Sequence, residues 1–217
     1  MKKIINSLAV LFILITGLQA QSPRIGFNAG VLLSKYKMTE QNVTVSSDNR
    51  VGFNAGIMAD VPVGKDFSFQ PGLSFLQKGG KTSESFFGAT ISSTTSLNYL
   101  ELPLNFVYKI KSKTGSFLIG AGPCMSYALS GKNKVTDGSG NTESHNIKFG
   151  SSDSSDLKRF EFSGNILAGY EFAGGFFASI NYNIGLSNLD PQGGTKAKNY
   201  YAGLRIGYLL PMKGKKK

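Results

Sequence analysis

Bulky apolar residues alternate with small or polar residues along most of this chain. In the stretch NYLELPLNFVYKI, residues 98–110, every even position from Leu100 to Ile110 carries a large apolar side chain. Successive side chains of a β-strand point to opposite faces, so this period of two predicts a strand. Glu101 and Pro103 lie in its middle, where a buried sheet of a soluble protein tolerates neither well. The strand therefore needs surroundings that are apolar on one face and polar on the other.

The same alternation recurs and predicts an all-β chain, because no segment shows the spacing of an amphipathic helix. The predicted strands are 24–34, 50–63, 66–77, 94–110, 115–129, 157–173, 176–187 and 198–210. The face opposite the bulky residues is rich in Gly, Ser and Asn, whereas a solvated face would be dominated by Lys and Glu. Such a face suits a cramped interior that forms hydrogen bonds, so the bulky side chains are expected to point outward.

Short and long connections alternate between the predicted strands. The short ones are 64–66, 111–115 and 173–175, and the long ones are 35–49, 78–93, 130–156 and 188–197. With antiparallel neighbours, every short turn and both chain ends fall on one side. A lipid bilayer has no water to satisfy an open sheet edge, so a spanning sheet must close. Short periplasmic turns and long external loops are typical of outer-membrane barrels. The predicted fold is an all-β, eight-stranded, antiparallel, up-and-down transmembrane β-barrel, which we expect to be a monomer in outer-membrane lipid.

Outward-facing aromatic residues fall into two predicted girdles, as expected at the two interfaces of a membrane barrel. On the short-turn side these are Phe27, Phe67, Phe69, Phe106, Tyr108, Phe117, Tyr170, Phe172, Phe176 and Tyr208. On the long-loop side these are Phe53, Phe75, Tyr127, Phe160, Phe162 and Tyr200. A barrel of eight strands is narrow and filled by side chains, so it is not predicted to be a general pore.

Charged residues on the inward face predict a polar network in the lumen. Its predicted members are Asp60, Glu101, Arg159, Glu161, Glu171 and Arg205. Glu101 is expected to pair with Arg159 or Arg205, because a buried carboxylate without a partner is costly. Pro103 cannot donate a ladder hydrogen bond, and a local β-bulge is expected to accommodate it.

The N-terminus has the composition of a secretory signal peptide. Lys2 and Lys3 precede an apolar run from Leu8 to Leu18, and a small residue, Ala20, follows. We therefore expect a signal peptide at 1–20, cleaved after Ala20, and a barrel domain at 21–217. The net charge is +11, and apart from the tail KGKKK after Pro211 the positive residues are scattered over loops and strand ends, so no nucleic-acid partner is predicted. The single Cys124 forms no internal disulfide and is expected to be a small packing residue.

Three motifs resemble a known family. They are YLELPL at 99–104, GFNAGV at 26–31 and QPGLSFLQKG at 70–79. The chain resembles the outer-membrane β-barrel domain of Bacteroidota, the PorT-like "porin family", although Gly72 stands where that family carries an acidic residue. The resemblance implies an outer-membrane location and no reaction. Some relatives serve protein secretion and gliding, so it also implies envelope or secretion proteins as partners.

Catalytic and metal chemistry have little support in the sequence. His145 is the only histidine and lies in the longest predicted loop, which we interpret as hydrophilic and mobile. No catalytic, cofactor-binding or metal site is predicted, and no cofactor. The leading hypothesis is a non-enzymatic outer-membrane barrel with external loops for interaction or envelope structure. Two alternatives stay open: a secreted calycin-like barrel that binds a small apolar ligand, and a rim enzyme that modifies lipid.

Overall fold

The computed structural model describes residues 23–86 and 89–210. The predicted signal peptide and the basic tail after Pro211 lie outside the described residues. The strands are β1 (Arg24–Glu40), β2 (Val43–Ser46), β3 (Arg50–Pro62), β4 (Phe67–Phe86), β5 (Ala89–Ser112), β6 (Gly115–Thr136), β7 (Thr142–Asn146), β8 (Phe160–Phe172), β9 (Phe176–Gly185) and β10 (Lys196–Leu209). Over the described ranges, no helix has the length and apolar character needed to cross a membrane.

Eight of these strands close into a ring. The order is β1–β3–β4–β5–β6–β8–β9–β10, and β10 pairs back onto β1 from Gly26↔Leu209 to Thr39↔Lys196. Every pairing is antiparallel, and each strand lies beside its neighbour along the chain. The two short strands lie outside the ring, β2 against β1 and β7 against β6. The predicted up-and-down eight-stranded barrel is confirmed.

The two faces of the ring differ as the alternation predicts. Large apolar side chains point outward and are exposed, for example Phe106 at 58% and Ile180 at 61%, whereas inward-facing Asp60 and Asn183 are fully buried. Aromatic pairs lie on the outside near the short turns (Phe27–Tyr208, Phe67–Tyr108 and Phe117–Tyr170) and near the long connections (Tyr127–Phe160 and Phe53–Phe75). A calycin-like barrel needs a polar exterior around an apolar pocket, so this arrangement contradicts that alternative.

Three predicted loops contain strand instead. In 35–49, β1 continues to Glu40 and β2 follows; in 78–93, β4 runs to Phe86 and β5 begins at Ala89; in 130–156, β6 continues to Thr136 and β7 follows. We call residues 79–86, 90–98, 130–136 and 142–146 the outer wall. Apart from Gly79, Gly80 and Leu97 at its base, which are buried, the outer wall is rich in Ser, Thr and Lys on both faces, as expected where both faces of a sheet meet water. The apolar alternation on which the strand prediction depended is therefore missing there.

Pro103 lies in β5 without the predicted bulge. The register is unchanged from Pro103↔Cys124 to Phe106↔Ala121, and the irregularity in this ladder lies instead at Asn98/Tyr99. Across the other ladder, a Cβ at Gly72 would come within 3.2 Å of Pro103 Cγ. A side chain at position 72 would therefore be tightly packed against the proline ring and the carbonyl oxygen of Ile57, which favours glycine where the family motif has an acid.

Candidate functional site

The inward-facing charges near the short turns form one compact group, which we call the lower cluster: Arg24, Asp60, Lys109 and Glu171. The buried carboxylate of Asp60 is its centre. Its Oδ2 accepts hydrogen bonds from Arg24 Nε at 3.1 Å and from Lys109 Nζ at 2.7 Å. Its Oδ1 accepts one from Gln70 Nε2 at 3.0 Å. Three side chains thus donate to this one carboxylate.

Glu171 completes the lower cluster. Its Oε2 lies 3.2 Å from Lys109 Nζ, and its Oε1 pairs with Arg24. Two cations and two anions thus balance one another. The group lines a cavity of about 250 Å³ at the short-turn end, together with Lys65, Asp66 and Lys111 among others. Sequence reasoning missed Arg24 and Lys109, although both lie on the inward parity of their strands and could have been found by it.

A second ion pair lies nearer the long connections, between Lys78 and Glu161. Both side chains have no exposed area, and Lys78 Nζ lies 2.9 Å from Glu161 Oε1. The angles fall outside hydrogen-bond geometry, so the contact is an ion pair by distance. Lys78 Nζ also lies 4.2 Å from the centroid of the Tyr99 ring, and Glu161 Oε2 accepts a hydrogen bond from Asn199 at 2.9 Å. The sequence prediction missed Lys78 because the predicted strand ended at residue 77.

Glu101 has different partners from those predicted. Its carboxylate accepts hydrogen bonds from Tyr201 Oη at 2.6 Å and from Ser126 Oγ at 3.0 Å. The predicted pairing with Arg159 or Arg205 is wrong, because neither arginine forms an ion pair with it. Two neutral hydroxyl donors satisfy this buried carboxylate instead.

Arg159 does not belong to the lumen network. β8 begins one residue after it, so Arg159 lies at the outer rim rather than on an inward-facing strand position. Its guanidinium donates to the carbonyls of Ala128 and Phe149, each at 3.2 Å, and stacks 5.5 Å from the centroid of the Tyr127 ring. It therefore anchors the 130–156 connection to the barrel.

Arg205 lies between two small voids in the middle of the lumen. Each void measures about 10 Å³, and one of them is also lined by Glu101. Arg205 Nε is buried and has no hydrogen-bond partner in the protein. The void shared with Glu101 has room for about one water molecule.

The outer half of the lumen is closed by an apolar plug that the sequence analysis did not predict. Its buried members are Leu32, Leu76, Leu97, Tyr99, Ala128 and Tyr201, with Ile147, Phe149 and Leu157 packed against them. The inward parity of Leu32 and Leu76 was an available signal. The last three residues belong to the connection between β6 and β8, so that connection covers the lumen rather than extending freely into water.

Replacing Glu101 by Gln should cost only about 1 kcal/mol of unfolding free energy. The amide retains an oxygen for the Tyr201 hydroxyl, so only the strengthening by charge is lost. Urea unfolding of the detergent-folded barrel measures this change in free energy. Tyr201→Phe is the matched variant, because it removes the hydroxyl that donates to Glu101. A loss above about 3 kcal/mol would instead show that Glu101 is one half of a buried ion pair, with Arg205 as its partner.

His145 lies in β7 and is strongly exposed, with Nε2 3.6 Å from Glu143 Oε2. No hydroxyl among the described residues hydrogen bonds to it, so a nucleophile–histidine pair is not assembled. Nearby, the carboxylate of Asp137 accepts hydrogen bonds from the side chain and backbone of Asn141. These bonds hold the pKa of Asp137 below its usual range and fix the turn between β6 and β7. In the described part of the chain, no group of three His, Cys, Asp or Glu could hold a metal ion.

Comparison with known families gives the geometry a context. A family model described as "Outer membrane protein beta-barrel domain" matches residues 19–190. The chain belongs to this family. Membership of the outer-membrane β-barrel family agrees with the apolar exterior and the polar lumen, and places the protein in the bacterial outer membrane. No curated protein matches the chain.

Several solved structures are similar to this family member. Ail, the attachment invasion locus protein of Yersinia pestis, is 19% identical, with 88% of this chain and 100% of that chain covered and a TM-score of 0.44. The same protein in complex with the heparin analogue sucrose octasulfate gives a TM-score of 0.43. Neisserial surface protein A is 11% identical, with the same coverage and a TM-score of 0.45.

Proposed function

We propose that this outer-membrane protein is a non-enzymatic, closed barrel whose outer wall presents a surface to partners outside the cell. The short turns would then face the periplasm. The observation that carries the proposal is the contrast between a plugged lumen and a sheet that rises beyond the apolar band. Such a molecule offers a surface rather than a passage.

The plug argues against transport through the lumen. Leu76, Leu97 and Tyr99 are each at most 2% exposed, so water does not reach them from either side. Against the ring of Tyr99, the buried pair of Lys78 and Glu161 adds charge that has no exposed area. An ion crossing the barrel would have to displace the plug and this ion pair.

The outer wall supports interaction. β4 and β5 stay paired from Gly79↔Ser96 to Phe86↔Ala89, well beyond the last pairing of β4 with β3 at Asn54↔Leu76. On the far side of the wall, β7 pairs only with β6 among the described strands. An edge strand with unpaired N–H and C=O groups can accept an extended segment of another protein as an additional strand.

The partners proposed for this surface follow the resemblance to the PorT-like group of Bacteroidota: outer-membrane lipid around the barrel, and envelope or secretion proteins at the wall. A closed ring leaves no strand edge within the lipid, so the barrel needs no second copy and is proposed to be monomeric. Export by a signal peptide cleaved after Ala20 and the absence of a nucleic-acid partner belong to the same proposal.

Cysteine labelling tests the orientation and the surface together. The one native cysteine, Cys124, is buried, so it leaves little background. A Ser144→Cys substitution lies on β7 and Lys65→Cys lies in a short turn. In intact cells, a membrane-impermeant maleimide is expected to label Ser144→Cys fully and Lys65→Cys only after permeabilisation. A maleimide cross-linker at position 144 should then join the barrel to an envelope protein.

Each position serves as the experimental control for the other, because both side chains would be accessible on a protein released from the membrane. Labelling of Lys65→Cys but not Ser144→Cys in intact cells would reverse the orientation. If cross-linking at position 144 is no stronger than cross-linking at position 65 in permeabilised cells, the outer wall is not the interaction surface. A change of envelope lipids in a His145→Ala strain would restore the rim-enzyme alternative.

A further inference from the structure

Four lysines lie side by side on the outside of the barrel, where β10 closes onto β1. Lys35 and Lys37 are on β1, and Lys196 and Lys198 are on β10; we call these four the lysine patch. The register places Lys37 opposite Lys198, and Lys35 opposite Tyr200. The lysines of each strand are two residues apart, so they point outward like Leu33 on β1 and Ala202 on β10. The intervening Ser34, Ala197 and Asn199 are buried on the lumen side.

The lysine patch lacks counter-charge within the protein. Like charges directly opposite each other on neighbouring strands are unfavourable, yet Lys37 faces Lys198. Among the described residues, none of the four forms an ion pair with a carboxylate. The nearest acid along β1, Glu40, has the opposite parity and so points to the other face. One stabilising contact is visible: Lys37 Nζ lies 5.0 Å from the centroid of the Tyr200 ring.

The height of the lysine patch matches a membrane boundary. Ile25 is the first exposed apolar residue of β1, and Lys35 follows ten positions later. A strand rises about 3.3 Å per residue and tilts by roughly 40° in such barrels, so this distance is about 25 Å along the membrane normal, the height of the apolar band. Leu33 and Ala202, which face each other one outward step below Lys35 and Tyr200, form the exposed apolar surface immediately below.

We propose that the lysine patch binds the phosphate groups of an anionic glycolipid in the outer leaflet. The acyl chains would lie on the apolar surface below, and the phosphates would separate Lys37 from Lys198 and neutralise their repulsion. The proposal rests on the orientation given above, with the long connections outside the cell. A phosphate monoester carries the charge and the acceptor oxygens that ammonium groups require.

The test uses the full barrel reconstituted in phosphatidylcholine vesicles that contain either a bisphosphorylated glycolipid or the same glycolipid without its phosphates. Titrating the glycolipid and following the melting temperature by the heat-dependent gel shift gives the half-saturating fraction. Each lysine at an anionic surface contributes a factor of about five. The Lys37→Gln/Lys198→Gln variant should therefore need more than tenfold more phosphorylated glycolipid than the wild type.

The matched control is Lys132→Gln/Lys134→Gln, which removes two outward-facing lysines from β6 in the outer wall. It should titrate like the wild type. In vesicles with the dephosphorylated glycolipid, the patch variant should melt close to the wild type, because the lost repulsion offsets the lost contact of Lys37 with Tyr200; this shows that it is folded. A further titration with inorganic phosphate in solution tests whether the lysine patch binds a free anion rather than the lipid.

Three results would overturn the proposal: equal titrations with the phosphorylated and the dephosphorylated glycolipid, an equal loss in the control variant, or saturation by inorganic phosphate in vesicles with the dephosphorylated glycolipid. The cysteine labelling separates this failure from a failure of the orientation. A reversed barrel would label at Lys65→Cys from outside, whereas a correctly oriented barrel without phosphate dependence would reject only the lipid site.

Discussion

Replacing Lys78 by Met is expected to lower the free energy of unfolding by about 3–5 kcal/mol. The substitution keeps the length of the side chain but leaves Glu161 as a buried carboxylate without a counter-charge. Neither side chain of the pair has any exposed area, so water cannot replace the lost ammonium group. The hydrogen bond from Asn199 to Glu161 would remain, but it comes from a neutral amide.

A double-mutant cycle separates the pair from its parts. Lys78→Met and Glu161→Leu should each be strongly destabilising, whereas the double variant should recover much of the loss, because an apolar pair of similar volume avoids the desolvation of both charges. Urea unfolding followed by the gel shift measures all three. Lys132→Met, an exposed lysine on the outer wall, is the control and should change stability by less than about 0.5 kcal/mol. Additive losses would show that the two charges do not interact.

Asp60→Asn is the second large effect, expected to cost about 3 kcal/mol. The change removes the carboxylate shared by Arg24 and Lys109 and leaves two cations facing Glu171 alone. The loss lies at the lower end of the range for buried pairs, because the side chains of Lys109 and Arg24 are 14% and 26% exposed. Water entering the adjoining cavity can therefore solvate part of the uncompensated charge.

The control for Asp60 lies in the same cavity. Asp66 pairs with Lys111 at 3.0 Å, and both side chains are substantially exposed. Asp66→Asn is expected to cost less than about 1 kcal/mol, because surface ion pairs contribute little and are screened by salt. Unfolding of both variants at low and high salt distinguishes the sites. Equal costs for the two substitutions would mean that the lower cluster does not stabilise the barrel.

The alternation of inward-facing and outward-facing side chains along the strands predicted much of this site and failed at identifiable residues. It placed Asp60 and Glu171 in the lumen, and applied to residue 109 it would also have placed Lys109 there. It failed for Arg159, because alternation holds only within a strand and β8 begins at Phe160. It also missed the outer wall, where Ser and Thr on both faces leave no contrast between apolar and polar sides.

The sequence by itself determined the number of strands in the ring, the antiparallel order and, where apolar and polar residues alternate, the face that a side chain takes, because those properties depend on residues adjacent in the chain. Which charges meet was decided only by the tertiary structure. Arg24 of β1 pairs with Glu171 of β8, and Lys78 of β4 pairs with Glu161 of β8. These strands are not neighbours, and their side chains meet across the lumen at heights that the stagger between strands sets. No local pattern records that stagger, and the same holds for the plug that closes the barrel and the lysine patch where its ends join.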